Sequence, residues 1–161
     1  PYTTLFRSNG IAQLEKYNFT YDLLILPIHL PFAVNFVKRF PKQNFVIDHL
    51  AKPNFKANDF SEWERGISEL ALHKNVYCKV SGMVTEADWK NWKAADFNYC
   101  LDVLVSNFGI DRLMFGSDWP VSLLAASYEE STAIVKNYFS KFSRQDQDKI
   151  WGANAMKFYN L

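Results

Sequence analysis

Four short runs of strand-forming residues alternate with segments of helical period along this chain, and that alternation restricts the fold more than any other feature. Tyr21–Leu26 reads as a buried strand. Leu30, Ala33, Val34, Phe36, Val37 and Phe40 then recur at helical spacing until Pro41 stops them. A second strand is expected at 44–48, followed after the loop 51–60 by a helix carrying Trp63, Ile67, Leu70 and Ala71. Ser61-x-x-Glu64 is a capping-box pattern at its start. Val76–Val80 alternates as a third strand and ends at Ser81-Gly82. A loop with Trp89 and Trp92 leads to a helix over 97–107, closed by Gly109, and a fourth strand follows at 112–117. Ser127-x-x-Glu130 and Ser143-x-x-Asp146 open two final helices, the last carrying Ile150, Trp151, Ala155 and Phe158. Strands that alternate with helices make a parallel α/β sheet with right-handed crossovers. Four such units make either a small doubly wound domain or half of an eight-unit barrel, which takes ~250 residues. Periodicity alone leaves both open.

Two of the strands end in the same way. Arg112–Phe115 runs out to Asp118, with Pro120 two residues on, and Phe45–Ile47 runs into Asp48-His49, closed by Pro53. Catalytic groups of α/β barrels stand at such carboxyl ends. A carboxylate at Asp118 could take a proton from water as general base; the plain alternative is a turn aspartate before Pro120. His49 could bind a metal or donate to a carbonyl oxygen, or be a core histidine bonded to backbone. His29 follows the first strand at a rim position, and His73 lies beside Lys74 in a helix, where a solvated surface place is expected. One histidine and one aspartate fall short of the three protein ligands a zinc site usually needs. Lys52 and Lys79, also near strand ends, could hold a substrate oxyanion or carboxylate, or simply extend to the rim. Trp89, Trp92 and Trp119 could wall an apolar pocket, although packing under loops accounts equally for Trp92.

Composition removes several classes of function. The 161 residues suffice for one domain with a core, and 14 Phe, 8 Tyr and 5 Trp argue against disorder. The net charge is +1, with Lys and Arg spread among Asp and Glu, so no basic stripe points to nucleic acid. No apolar run approaches the ~18 residues of a membrane span, and no signal-peptide pattern opens the chain. Cys78 and Cys100 lack metal spacing and read as buried free thiols. A cytoplasmic protein is the expectation.

The opening Pro1-Tyr2-Thr3-Thr4-Leu5-Phe6-Arg7-Ser8 has no initiating Met and resembles the translation of a short-read sequencing adapter. On that reading residues 1–8 are foreign and the protein proper starts at residue 9; the alternative is a natural helix start. Either way the natural protein is expected to extend further toward its N-terminus.

Phe45-Val46-Ile47-Asp48-His49-Leu50-Ala51-Lys52-Pro53 resembles a segment of the amidohydrolase superfamily. So do Lys79–Ala87, Met114–Val121 and the ending Gly152-Ala153-Asn154-Ala155-Met156-Lys157-Phe158-Tyr159. Tyr21–Leu24 and His29-Leu30-Pro31 are similar to the sugar-lactonase branch, the group of L-fuconolactonase and L-rhamnonolactonase. The resemblance covers residue 9 to the end and implies the C-terminal half, strands five to eight, of a metal-dependent-hydrolase-like TIM (β/α)₈ barrel. It implies that His49 is the strand-six histidine and Asp118 the strand-eight aspartate that activates water. Lys79, Trp119, His29 and Lys52 would then bind substrate, a small sugar-acid lactone. Members of this branch differ in their need for a divalent metal. Zinc in the intact enzyme would fall to His49 and Asp118, while the chain alone requires no cofactor. The strand-one His-x-His motif is not in this chain, so the polypeptide by itself is expected to be inactive and prone to self-association without the other half of the barrel. The competing readings are a metal-dependent decarboxylase of the same superfamily and a non-catalytic fragment.

Overall fold

A computed structural model of the chain describes residues 4–57 and 59–161, with side chains from Gly10 onward. The adapter-like reading of residues 1–8 therefore lies outside the described side chains. Four parallel strands form one sheet in the order β1-β2-β3-β4: β1 Tyr21–Leu23, β2 Phe45–Ile47, β3 Val76–Val80 and β4 Leu113–Phe115. Registers pair Leu23 with Ile47, Ile47 with Cys78 and Val80 with Phe115, so β3 and β4 run two residues past the ends of β1 and β2 at the same side of the sheet.

The helices are α1 Thr4–Lys16, α2 Leu30–Lys38, α3 Ser61–Ala71, α4 Met83–Glu86, α5 Asn98–Phe108, α6 Tyr128–Phe139, α7 Arg144–Asp148 and α8 Asn154–Tyr159. A π-helical turn, Lys149–Ala153, joins the last two. Sheet and helices share one core. Phe45, Ile47, Val76, Cys78, Val80 and Leu113 point into it from the strands; Leu30, Val37, Ile67, Leu101 and Leu104 close it from α2, α3 and α5. Gly66 lets α2 and α3 approach, since a Cβ there would stand 2.5 Å from the Leu30 Cβ.

The alternation expected of the third strand is realised. Val76, Cys78 and Val80 are buried toward the helices, while Tyr77 and Lys79 are half-buried on the opposite face. That second face carries a smaller cluster of Val46, Met114 and Phe158, with Tyr77 and Tyr159 packed against it, so the C-terminal helix folds over part of it. Asn154 anchors that helix by donating to the carbonyls of Ile110 and Leu113, both at 2.7 Å. Arg112 ties the amino ends of the strands together by donating to the carbonyls of His73 and Val76.

Three local expectations are corrected. Ser61 does not cap α3: Phe60 holds that position, and the Ser61 hydroxyl and N–H both donate to Asp59 Oδ1. The first strand stops at Leu23 rather than Leu26. A short helix, α4, stands in what reads as loop after the third strand. The capping box at Ser127 and Glu130 and the Ser143 cap of α7 do form. Cys78 and Cys100 are buried and free. No described helix is long and apolar enough to cross a membrane.

Candidate active site at the carboxyl ends of the strands

Beyond Ile47 the backbone makes an unusual turn. His49, Leu50, Ala51 and Lys52 all have left-handed conformation, with φ of 51°, 56°, 58° and 53°. None is glycine, and each such residue costs roughly 1–2 kcal/mol. Packing offsets that cost. Leu50 and Ala51 are fully buried, the Trp63 indole N–H donates to the Leu50 carbonyl at 2.6 Å, and Lys52 N–H closes the turn on the His49 carbonyl at 2.7 Å. The turn aims the His49 imidazole across the strand ends. Asp118, three residues past β4, is also left-handed at φ 56°. Such outliers, held by over-determined surroundings, cluster at functional sites.

The two side chains meet. His49 Nε2 lies 3.7 Å from Asp118 Oδ1, with both groups mostly shielded from solvent. The turn between β3 and α4 holds each from behind. Ser81 Oγ and His49 Nδ1 share a hydrogen bond of 2.8 Å, and Thr85 Oγ1 donates to Asp118 Oδ2 at 2.7 Å. Gly82 sits at φ +70°, and a Cβ on it would stand 2.8 Å from His49 Cβ and 2.9 Å from the ring. Ser81, Gly82 and Thr85 are the site residues that sequence reasoning missed. Their one legible signal is two hydroxyls directly after a strand whose neighbours end in His49 and Asp118.

The other expected site residues are arranged differently. Lys79 does not stand free: its Nζ lies 2.5 Å from Asp22 Oδ2 and 2.8 Å from Asp48 Oδ1. The Tyr159 hydroxyl donates to the same Asp22 carboxylate at 2.9 Å, and its ring lies 5.6 Å from Lys79 Nζ. Burial pulls the Lys79 pKa down, but the hydrogen bonds to Asp22, Asp48 and Tyr159 outweigh it, and the ammonium is held above its ordinary value. Lys52 donates to Glu86 Oε1 at 2.7 Å. His29 is exposed at the start of α2, where its Nδ1 accepts from the Leu26 N–H at 3.1 Å. Trp119 follows Asp118 and is exposed. The three tryptophans do not share one wall: Trp89 and Trp92 line a cleft with Phe55 and Asp96 and donate to the carbonyls of Thr85 and Ala125, whereas Trp119 is not among its lining residues.

Among the described residues, no group of three or more His, Cys, Asp and Glu side chains could hold a metal ion. His49 Nε2 and Asp118 Oδ1 nevertheless converge as a pair of donors, with Nδ1 and Oδ2 already engaged by hydroxyls. That is part of a ligand set for a divalent cation, short of the usual three. The pair also suits proton transfer beside a polarised carbonyl.

A parallel α/β sheet with a histidine and an aspartate converging at its carboxyl ends has side chains where α/β barrels place their catalytic groups. The amidohydrolase family pattern matches residues 3–161, and the chain belongs to that family. It is 39% identical to an L-fucono-1,5-lactonase of Burkholderia multivorans, over 96% of this chain and 55% of that protein. A second L-fucono-1,5-lactonase, of Burkholderia ambifaria, is 35% identical over 94% of this chain and 53% of that protein. The crystal structure of an amidohydrolase from Burkholderia multivorans with bound zinc superposes with a TM-score of 0.90 at 38% identity, covering 96% of this chain and 57% of that one. The chain thus spans about half the length of the curated relatives it matches.

Proposed function

We propose that this chain is the C-terminal half, strands five to eight, of a TIM barrel that hydrolyses a sugar-acid lactone, with His49 and Asp118 as its catalytic pair. The observation that carries the reading is the 3.7 Å approach of His49 Nε2 to Asp118 Oδ1 at the strand termini, in a chain similar to two L-fucono-1,5-lactonases. Asp118 Oδ1 takes a proton from water. The hydroxide attacks the lactone carbonyl, the ring C–O bond breaks, and the leaving alkoxide is reprotonated to the open hydroxy acid. His49 Nε2 faces the carbonyl oxygen and stabilises its developing charge. A divalent cation held by His49 and Asp118 together with residues from the other half would supply Lewis-acid polarisation of that carbonyl. The zinc in the similar Burkholderia multivorans structure supports that addition. Trp119, exposed beside Asp118, is available to the substrate ring, and His29 lies further out on the rim.

A lactone fits better than an aromatic carboxylate undergoing decarboxylation. The similarity to two L-fucono-1,5-lactonases favours it, and both candidate lysines are engaged within the chain: Lys79 by Asp22 and Asp48, Lys52 by Glu86. Lys79 and Lys52 therefore shape the pocket in this reading rather than grip the substrate directly.

The half-barrel reading rests on the open flanks of the sheet. Among the described residues nothing pairs with the outer edge of β1 or of β4. In the segments that follow those two strands, Leu24, Leu26, Ile28 and Phe32 are exposed after β1, and Trp119, Val121, Leu123 and Leu124 after β4. Open apolar edges are templates for pairing. The occupant in the natural protein is the half that carries strands one to four; for the chain alone it is a second copy. We place the protein in the cytoplasm, without nucleic-acid or membrane partners. The test is to purify residues 9–161, measure mass in solution, and assay L-fucono-1,5-lactone and related sugar lactones with and without zinc. Self-association without turnover is expected. A monomer with turnover abolished by Asp118→Asn would contradict the half-barrel while upholding the pair.

A further inference from the structure

We propose that Ser81 and Thr85 are positioning residues that fix the orientation of the His49 ring and the Asp118 rotamer; the inference rests on the catalytic pair assigned above. Neither hydroxyl is adjacent in sequence to the group it holds, yet both come from one short segment. Ser81 and Gly82 form the turn after β3, and Thr85 lies on α4 immediately behind it. Ser81 is 4% exposed, so its hydroxyl has little access to water as an alternative partner. Its partner is His49 Nδ1 at 2.8 Å. The other ring nitrogen faces a carboxylate oxygen at 3.7 Å. The Ser81 hydroxyl can donate to Nδ1 or accept from it, so in either tautomer it pins the ring with Nε2 turned toward Asp118.

Thr85 performs the matching task for Asp118. Its hydroxyl takes Oδ2 at 2.7 Å, which turns Oδ1 toward His49 and leaves that oxygen free for water. Gly82 completes the clamp by absence, because any side chain there would occupy the space of the imidazole. One rigid segment thus sets the separation of two groups delivered by different strands, which is the support a pre-organised site requires.

The test needs no turnover. Three-bond couplings to the His49 ring Cγ and to the Asp118 carboxyl carbon give the χ1 of each side chain in the isotope-labelled chain. The wild type is expected to show one rotamer at each. Ser81→Ala should average the His49 couplings, leaving Asp118 unchanged. Thr85→Val should average the Asp118 couplings, and Thr85→Ser should restore them. Unchanged His49 couplings in Ser81→Ala, or unchanged Asp118 couplings in Thr85→Val, would overturn the proposal. Unfolding of either variant would also overturn it, by making the residue structural instead. Failure of the lactonase reading appears elsewhere, as absent hydrolysis in the completed barrel with these spectra as expected.

Discussion

His49 Nε2 and Asp118 Oδ1 stand 3.7 Å apart although they follow strands β2 and β4, with the whole of β3 between those strands. What bridges the gap is the left-handed turn at 49–52 on one side and the left-handed Asp118 on the other. The site is thus a product of backbone conformation more than of strand position, and the elements that enforce that conformation are the places to perturb it.

Gly82→Ala should be among the most damaging small substitutions. The new methyl meets His49 at 2.8–2.9 Å, and the residue would have to hold φ +70°. The left-handed backbone alone costs roughly 1–2 kcal/mol for a non-glycine residue, and displacement of the imidazole adds to it. Denaturant unfolding should show at least that loss; unchanged stability with an unmoved His49 would contradict the geometry.

Trp63→Phe tests what holds the turn. The variant keeps most of the buried ring but removes the N–H that satisfies the Leu50 carbonyl. A buried acceptor left without a partner costs about 1–3 kcal/mol. The loss should appear in equilibrium unfolding, together with faster amide exchange at Lys52. Wild-type stability would mean that burial of Leu50 and Ala51 holds the turn unaided.

Lys79→Met leaves Asp22 and Asp48 without their shared cation. Stability at neutral pH should fall by about 1–3 kcal/mol. The pH dependence has a definite sign. The folded-state pKa of Lys79 is raised, so its contribution is complete below the unfolded value of about 10.4 and is lost as pH rises through the higher folded value. The wild type should therefore lose stability more steeply than Lys79→Met above pH ~10.4. Parallel curves in that range would contradict the ion-pair assignment.

The two thiols should be inert in the native state. Burial pushes the Cys100 thiol up to about 12 and raises the fully buried Cys78 still further. Thiol reagents at neutral pH attack the thiolate, so labelling should track unfolding. Rapid labelling of folded protein would show that one cysteine is accessible.

Much of this architecture is legible in the sequence. Strand β3 is readable from end to end because its alternation reports a sheet with one fully buried face and one only partly covered. The first strand reads too long because apolar content continues through Leu26 while hydrogen bonding does not. Leu23 pairs with Ile47, and β2 then departs into its left-handed turn, leaving Leu24 without a ladder partner. That turn carries no glycine and is enforced by buried contacts with distant Trp63, so no local signal announces it. Ser61 has the spacing of a capping box, but Asp59 claims both its N–H and its hydroxyl. His49 and Asp118 are recognisable as strand-end residues; their separation is not, because it depends on the segment from Ser81 to Thr85. Lys79 reads as a candidate substrate cation because nothing local shows that Asp22 on β1 and Asp48 just past β2 converge on it.

The most direct test joins the complementary half of the 39%-identical Burkholderia multivorans lactonase to residues 9–161 and follows hydrolysis of L-fucono-1,5-lactone. The joined protein should hydrolyse the lactone, and Asp118→Asn should lower kcat by about 100-fold or more without loss of folding. Hydrolysis that continues undiminished in Asp118→Asn would contradict the central claim that Asp118, paired with His49, activates the water.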